Sequence, residues 1–232
     1  MCAHYEPVIE RERYLAGFGV EPPTDPGPSA LWPGHAGSFI RRPRPQDHAG
    51  RPPAMEAMAG IFGLIPHWAK DPTMSRHTYN ARSETVAEKP SYRDAWRLGR
   101  RCIIPAEAFY EPDWRSGKAV PTRIARADGK PMGIAGIWMG WKAADGSILR
   151  SYSMLTINAD QHAFMRQFHK PQDEKRMVVI LPEERYHDWL QASPEQSRNF
   201  LLPWPAEELA STQVHAVEQH GAHLAGGVGS LL

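Results

Sequence analysis

The chain has 232 residues, a formal net charge of +1 and a 41% hydrophobic fraction. That length suits one domain with a sizeable core, and the balanced charge excludes a generally basic nucleic-acid coat while leaving room for a local basic groove. No apolar run approaches the ~20 residues that span a bilayer, the first twenty residues lack the apolar stretch of a signal peptide, and the two cysteines, Cys2 and Cys102, build neither a disulfide framework nor a paired-cysteine metal site. A reduced, cytoplasmic setting without membrane, metal or other cofactor is expected. Residues 21–60 are dense in Pro and Gly ("EPPTDPGPSALWPG" opens them) and read as an irregular segment wrapped over a core, with Trp32, Phe39 and Ile40 as its apolar anchors. "IFGLIPHWA" (61–69) reads as a strand entering a loop at Pro66. "SYRDAWRLGRR" (91–101) predicts a helix with Ser91 as its cap. "CIIPAEAFYEP" (102–112) is strand-like and broken at Pro105. "TRIARADGKPMGIAGIWMGW" (122–141) predicts a hairpin turning at Asp128-Gly129.

Further on, "SYSMLTINA" (151–159) is another strand, and "DQHAFMRQFH" (160–169) predicts a short helix from the spacing of Ala163, Phe164 and Phe168. "MVVILP" (177–182) predicts a buried strand, "EERYHDWLQ" and "PEQSRNFL" predict short helices, and "TQVHAV" (212–217) a last strand. Strands outnumber helices, and no regular βαβ alternation is present. The pattern predicts an α+β fold: one domain over residues 1–232, a mainly antiparallel, barrel-like sheet with short flanking helices.

Four polar stretches stand in this apolar setting. They are Cys2 behind Met1, "NARSET" (80–85), "AFYEP" with Glu111, and "FHKPQDEKRM" with His169 and Arg176. Singly, each fits a plain structural role. Asn80 suits a turn, Arg82 and Glu84 a surface ion pair, Glu111 a strand end, and His169 a helix C-terminus. In order and spacing, however, the set resembles the SRAP (SOS response-associated peptidase) family. The carriers are Met1-Cys2, "GLIPHWA" (63–69), "NARSET", "RCIIPAEAFYE" (101–111), and His169 followed by "RMVVIL" (176–181).

The resemblance implies a sensor of abasic sites in single-stranded DNA. It would act in the DNA-damage (SOS) response, without cofactor and as a monomer. It would join the lesion covalently through Cys2, exposed once Met1 is removed. A free N-terminal cysteine carries a thiol and an α-amine on neighbouring carbons. Together they can close a five-membered thiazolidine on an aldehyde, which neither an internal cysteine nor a lysine can do. The resemblance assigns Glu111 as proton acceptor or positioning carboxylate, His169 as the acid, and Asn80 as the amide that holds the terminal residue or the sugar. It gives Arg82 a flanking phosphate, with Trp68 and Phe109 stacking on neighbouring bases. Family members often begin Met-Cys-Gly-Arg. This chain has Ala3-His4 there, and Arg41 and Arg42 are expected to take over the missing phosphate contacts. Two other readings stay open: a thiol (auto)peptidase using Cys2 with His169, and a module that binds modified DNA reversibly.

Overall fold

The computed structural model describes residues 2–214 apart from positions 26, 45, 46 and 48. The strands are β1 (Tyr5–Pro7), β2 (Ala36–Arg41), β3 (Glu56–Phe62), β4 (Asn80–Arg82), β5 (Arg101–Asp113), β6 (Val120–Arg126), β7 (Met132–Lys142), β8 (Ile148–Asn158), β9 (Arg176–Val178), β10 (Ile180–Leu181) and β11 (Leu209–Gln213). The helices α1 (Arg11–Phe18), α2 (Arg93–Arg97), α3 (Tyr186–Gln191) and α4 (Pro194–Ser197) are short. The order β7-β8-β3-β2-β5 closes on itself, because β5 also pairs with β7. A five-stranded barrel results, with the remaining strands paired along it. Most pairs are antiparallel. The contacts of β8 with β3 and β4 are parallel.

The thirteen-residue β5 is the longest strand and the hub, pairing with β1, β2, β6 and β7. Its burial is nearly continuous rather than alternating, as expected where both faces of a strand are covered. Phe39, Phe62 and Tyr152 meet inside the barrel, where the Tyr5 and Tyr152 hydroxyls share a 2.6 Å hydrogen bond. Gly136 in β7 allows the close strand approach: a Cβ there would stand 2.7 Å from both Ile104 Cδ1 and the Ser153 carbonyl oxygen.

The structure bears out the α+β barrel and corrects several local expectations. The Pro/Gly-rich 21–60 segment is not wholly irregular, since β2 and part of β3 lie in it. Phe39 and Ile40 are fully buried there, and their strand pairs on both edges, with β3 and β5. Pro105 does not break its strand; it sits within β5 opposite Gly133. The Asp128-Gly129 turn makes no hairpin. β6 and β7 do not pair with each other but run in the same direction past successive stretches of β5. The hairpin instead joins β7 to β8, through the Asp145-Gly146 turn. The 91–101 helix shrinks to α2, because Gly99 turns left-handed at φ 63° and Arg101 already belongs to β5. The 160–169 helix is only a 3₁₀ turn at Met165–Gln167. The 177–182 strand splits at Val179, β9 pairing with β8 and β10 with β7. The last strand is β11; the end of the expected 212–217 strand lies outside the described residues. β1 and α1 occupy a stretch where the sequence signals no element.

Candidate active site

Cys2 is held to the barrel by its chain neighbours. The Tyr110 N–H donates to the His4 carbonyl (2.9 Å), and β1 then pairs antiparallel with β5. Asn80, the first residue of β4, donates from Nδ2 to the Cys2 carbonyl at 2.8 Å. The Asn80 Oδ1 is buried and accepts no hydrogen bond from the described residues. Cys2 itself is 1% exposed, and its thiol faces the His4 carbonyl at 3.4 Å. Burial, and then the nearby Glu111 carboxylate, push the thiol pKa far above its ordinary value. A resting thiolate is therefore disfavoured.

Glu111 comes from the last part of β5 and is 3% exposed. Its Oε2 lies 3.3 Å from His169 Nδ1. Burial raises the Glu111 carboxyl to about 7 and lowers the His169 imidazole to about 4. Low polarity disfavours charge on both partners, so the pair shares one proton near neutrality. Both shifts run toward the neutral forms of the pair.

His169 reaches Glu111 by an uncommon backbone. Its φ is 63°, the one positive value among the described non-glycine residues. Its N–H donates to the Pro112 carbonyl (2.9 Å), which ties it to the end of β5. Its Nε2 lies 3.4 Å from the Arg176 carbonyl. Arg176, to which the sequence assigns no partner, is 2% exposed and acts as a keystone. Its guanidinium makes paired hydrogen bonds to Glu84 (2.9 Å each), one to Glu174 (2.8 Å) and one to the Thr156 carbonyl (2.8 Å). The "NARSET" motif thereby acquires its geometry: Asn80 binds the residue-2 carbonyl, while Glu84 anchors the strand that follows His169. Glu84 does not pair with Arg82. Arg82 is half exposed and pairs with Glu174 at 2.8 Å.

A second missed feature is a stack of three rings. His4 lies between Trp32 (centroids 4.2 Å apart) and Tyr110 (4.1 Å), each nearly parallel to it. These rings and Pro112 wall a cleft of about 230 Å³ to which Glu111 also contributes. Nothing in the sequence alone joins positions 4, 32 and 110.

Other expected contacts lie elsewhere. Phe109 is fully buried, so no face of its ring is open to a base. Trp68 is exposed, its indole N–H 3.4 Å from the Pro90 carbonyl. Arg41 and Arg42 do not flank Cys2. Arg41 pairs with Cys102 near the start of β5, whereas Glu111 lies near its end, up to roughly 30 Å away at about 3.3 Å per residue. Arg41 is also buried and paired with Asp47 (2.6 Å) and Glu56 (2.7 Å). Neither arginine can replace a phosphate contact beside residue 2. Among the described residues no cluster of His, Cys, Asp and Glu could hold a metal ion, and no helix is long and apolar enough to cross a membrane.

The chain is 35% identical to the abasic site processing protein YoaM of Bacillus subtilis over 162 residues, covering 67% of each. It is 28% identical to the abasic site processing protein HMCES of Gallus gallus over 183 residues, 67% of this chain and 53% of that protein. A crystal structure of a Bordetella bronchiseptica protein superposes with a TM-score of 0.82 at 44% identity, covering 92% of this chain and 100% of that one. A Bacteroides thetaiotaomicron structure shares the fold at a TM-score of 0.72 and 21% identity, over 93% of both chains. The model of the SOS response associated peptidase (SRAP) family matches residues 1–219, and the chain belongs to that family.

Proposed function

We propose that this chain processes abasic sites in single-stranded DNA by covalent capture through Cys2, after removal of Met1. The observation that carries this reading is the Asn80 clamp on the Cys2 carbonyl, which fixes residue 2 beside the Glu111–His169 pair.

The ring-opened sugar of an abasic site presents an aldehyde. The α-amine of Cys2, with a reference pKa of about 7.7–8.0, is partly neutral near pH 7 and adds to the carbonyl carbon. A C–N bond forms, and a proton passes from nitrogen to oxygen. Protonation of the hydroxyl then expels water and leaves an imine. The thiol sulfur adds to the imine carbon while its proton goes to nitrogen, closing a thiazolidine. The balance is aldehyde plus aminothiol giving thiazolidine plus water. A carboxyl with a pKa of about 7 suits both proton transfers, because near neutrality it can accept from the amine and donate to the leaving hydroxyl. The His169 imidazole, 3.3 Å away, orients that carboxyl. Asn80 fixes the residue that carries both nucleophiles, so the second step is intramolecular.

The electrostatics favour this order over peptide hydrolysis. A thiol peptidase works through a thiolate stabilised by an imidazolium. Here burial raises the thiol and depresses the imidazole, opposite to both needs. An amine that attacks first needs neither. The test is an untagged protein incubated with an abasic single-stranded oligonucleotide and run on a denaturing gel. A shifted band is expected with wild type and none with Cys2→Ala or with an N-terminal extension. An equal band from Cys2→Ala would refute the reading.

A further inference from the structure

A groove of about 780 Å³ lies near the start of β5, at the far end of that strand from Glu111. Arg42, Arg44, Arg97, Arg100 and Arg101 contribute to its walls, and no Asp or Glu among the described residues does. Trp138 forms part of it and gathers the guanidiniums of Arg41 (4.5 Å), Arg100 (5.1 Å) and Arg44 (5.6 Å). Carboxylates neutralise only part of this charge. Asp47 and Glu56 hold Arg41, Asp47 also holds Arg44, and Asp94 reaches Arg97 at 3.4 Å. Among the described residues, Arg42, Arg100 and Arg101 make no ion pair.

The arginines are also incompletely satisfied. Arg41 and Arg101 are each 1% exposed, yet Nε and Nη1 of Arg41 and Nη2 of Arg101 find no acceptor among the described residues. Such orphan donors are uncommon in a native protein and call for an explanation. The Arg100 pKa is lowered by burial and by its neighbours Arg44 and Arg41, so positive charge there is crowded. A bound polyanion relieves that repulsion.

We propose that this groove is a second nucleic-acid contact, gripping the sugar-phosphate backbone of the strand whose lesion sits at Cys2. The inference rests on the proposed function above and extends it. Guanidinium forks suit phosphate oxygens. Trp138 is only 4% exposed, so it offers no open ring to a base, and the contact is one of charge without sequence reading. A strand already held at the other end of β5 reaches the groove at high effective concentration, so modest contacts suffice there. An acidic peptide gains nothing from that tether.

The experiment measures reversible binding of undamaged single strands by fluorescence anisotropy across a salt series. One strand has about 4 nucleotides, too few to occupy both ends of β5 at once, and one has about 25. Arg42→Gln/Arg97→Gln alters two exposed groove residues, with Arg42→Lys/Arg97→Lys as the charge-preserving control. For the long strand, the slope of log affinity against log salt is expected to fall by about 1.4 in the Gln variant, about 0.7 per lost phosphate contact. The Lys variant keeps the wild-type slope, and the short strand shows no difference. An unchanged long-strand slope overturns the proposal. So does a polyglutamate peptide that binds wild type, but not the Gln variant, while DNA binding stays intact; that outcome would assign the groove to an acidic protein. Because the readout uses intact DNA, it is independent of covalent capture. Loss of the gel band with the slope change intact would refute the lesion chemistry alone.

Discussion

His169 shows how one residue can combine an unfavourable backbone with a specific task. A left-handed φ in an L-residue costs roughly 1–2 kcal/mol, and at 63° it turns the imidazole onto Glu111. Glycine accepts that conformation freely, so His169→Gly is expected to be more stable than His169→Ala by about 1 kcal/mol in urea unfolding. The buried pair also sets a pH signature. Glu111 rises from 4.5 to about 7 on folding, so the folded state binds the extra proton. Its contribution to stability is full below pH 4.5 and lost as pH rises through 7. His169 falls from 6.5 to about 4, so the unfolded state binds the extra proton, and stability rises with pH between those values. The two slopes oppose each other between about pH 4.5 and 6.5, each near 1.4 kcal/mol per pH unit. Glu111→Gln should therefore gain stability with pH in that window relative to wild type, and His169→Gln should lose it; parallel profiles would contradict the buried pair. Asn80→Ala removes a buried hydrogen bond of about 1–3 kcal/mol, and crosslinking should slow at least about tenfold in a timed gel assay. Cys2, Asn80, Glu111 and His169 are legible in the sequence only as a set, through the order and spacing of the stretches that carry them. Arg176 and Glu84 are not legible as partners, since only the fold shows which of several nearby carboxylates a guanidinium meets.

At the scale of elements, apolar runs reveal the strands but not how they pair. β5, β7 and β8 are all visible as buried runs. That β6 and β7 follow one another along β5 is invisible locally, because an Asp-Gly turn is the same signal whether or not the chain reverses. The helix expected over 160–169 does not form: the His162 ring accepts hydrogen bonds from the Phe164 and Met165 N–H groups, and Phe168 is already extended, which leaves a single 3₁₀ turn between them. Gly63, where β3 hands the chain to the loop before β4, is a sharper constraint. Its φ is 109°, and a Cβ would stand 1.9 Å from the Ser75 carbonyl oxygen. Both partners are backbone, so neither can rotate away. Gly63→Ala should destabilise by about 3 kcal/mol or more and shift the urea midpoint accordingly. It should also loosen the Asn80 clamp, since the Leu64 N–H donates to the Thr78 carbonyl two residues before Asn80.

Over the whole molecule, the fold class is legible from the excess of strands, but the closure is not. Closing the barrel depends on β5 meeting β7 and on a parallel contact between β3 and β8, both joining distant parts of the chain. With four strand partners, β5 should open only on global unfolding, so its central amides at Ile103 and Ala108 are expected to exchange most slowly in native-state hydrogen exchange. Fast exchange there would show that the barrel opens piecemeal. The placement of β1 has a mechanical consequence. Residues just behind Cys2 are laced into the barrel on two sides, Tyr5 with Leu31 through 3.2 and 2.9 Å backbone bonds and β1 with β5. Tension along β1 from a tethered strand would load those crosswise bonds together, in shear, rather than peeling them one by one. If Cys2 captures DNA as proposed, a pull on that DNA would therefore meet a stiff anchor instead of a fraying tail.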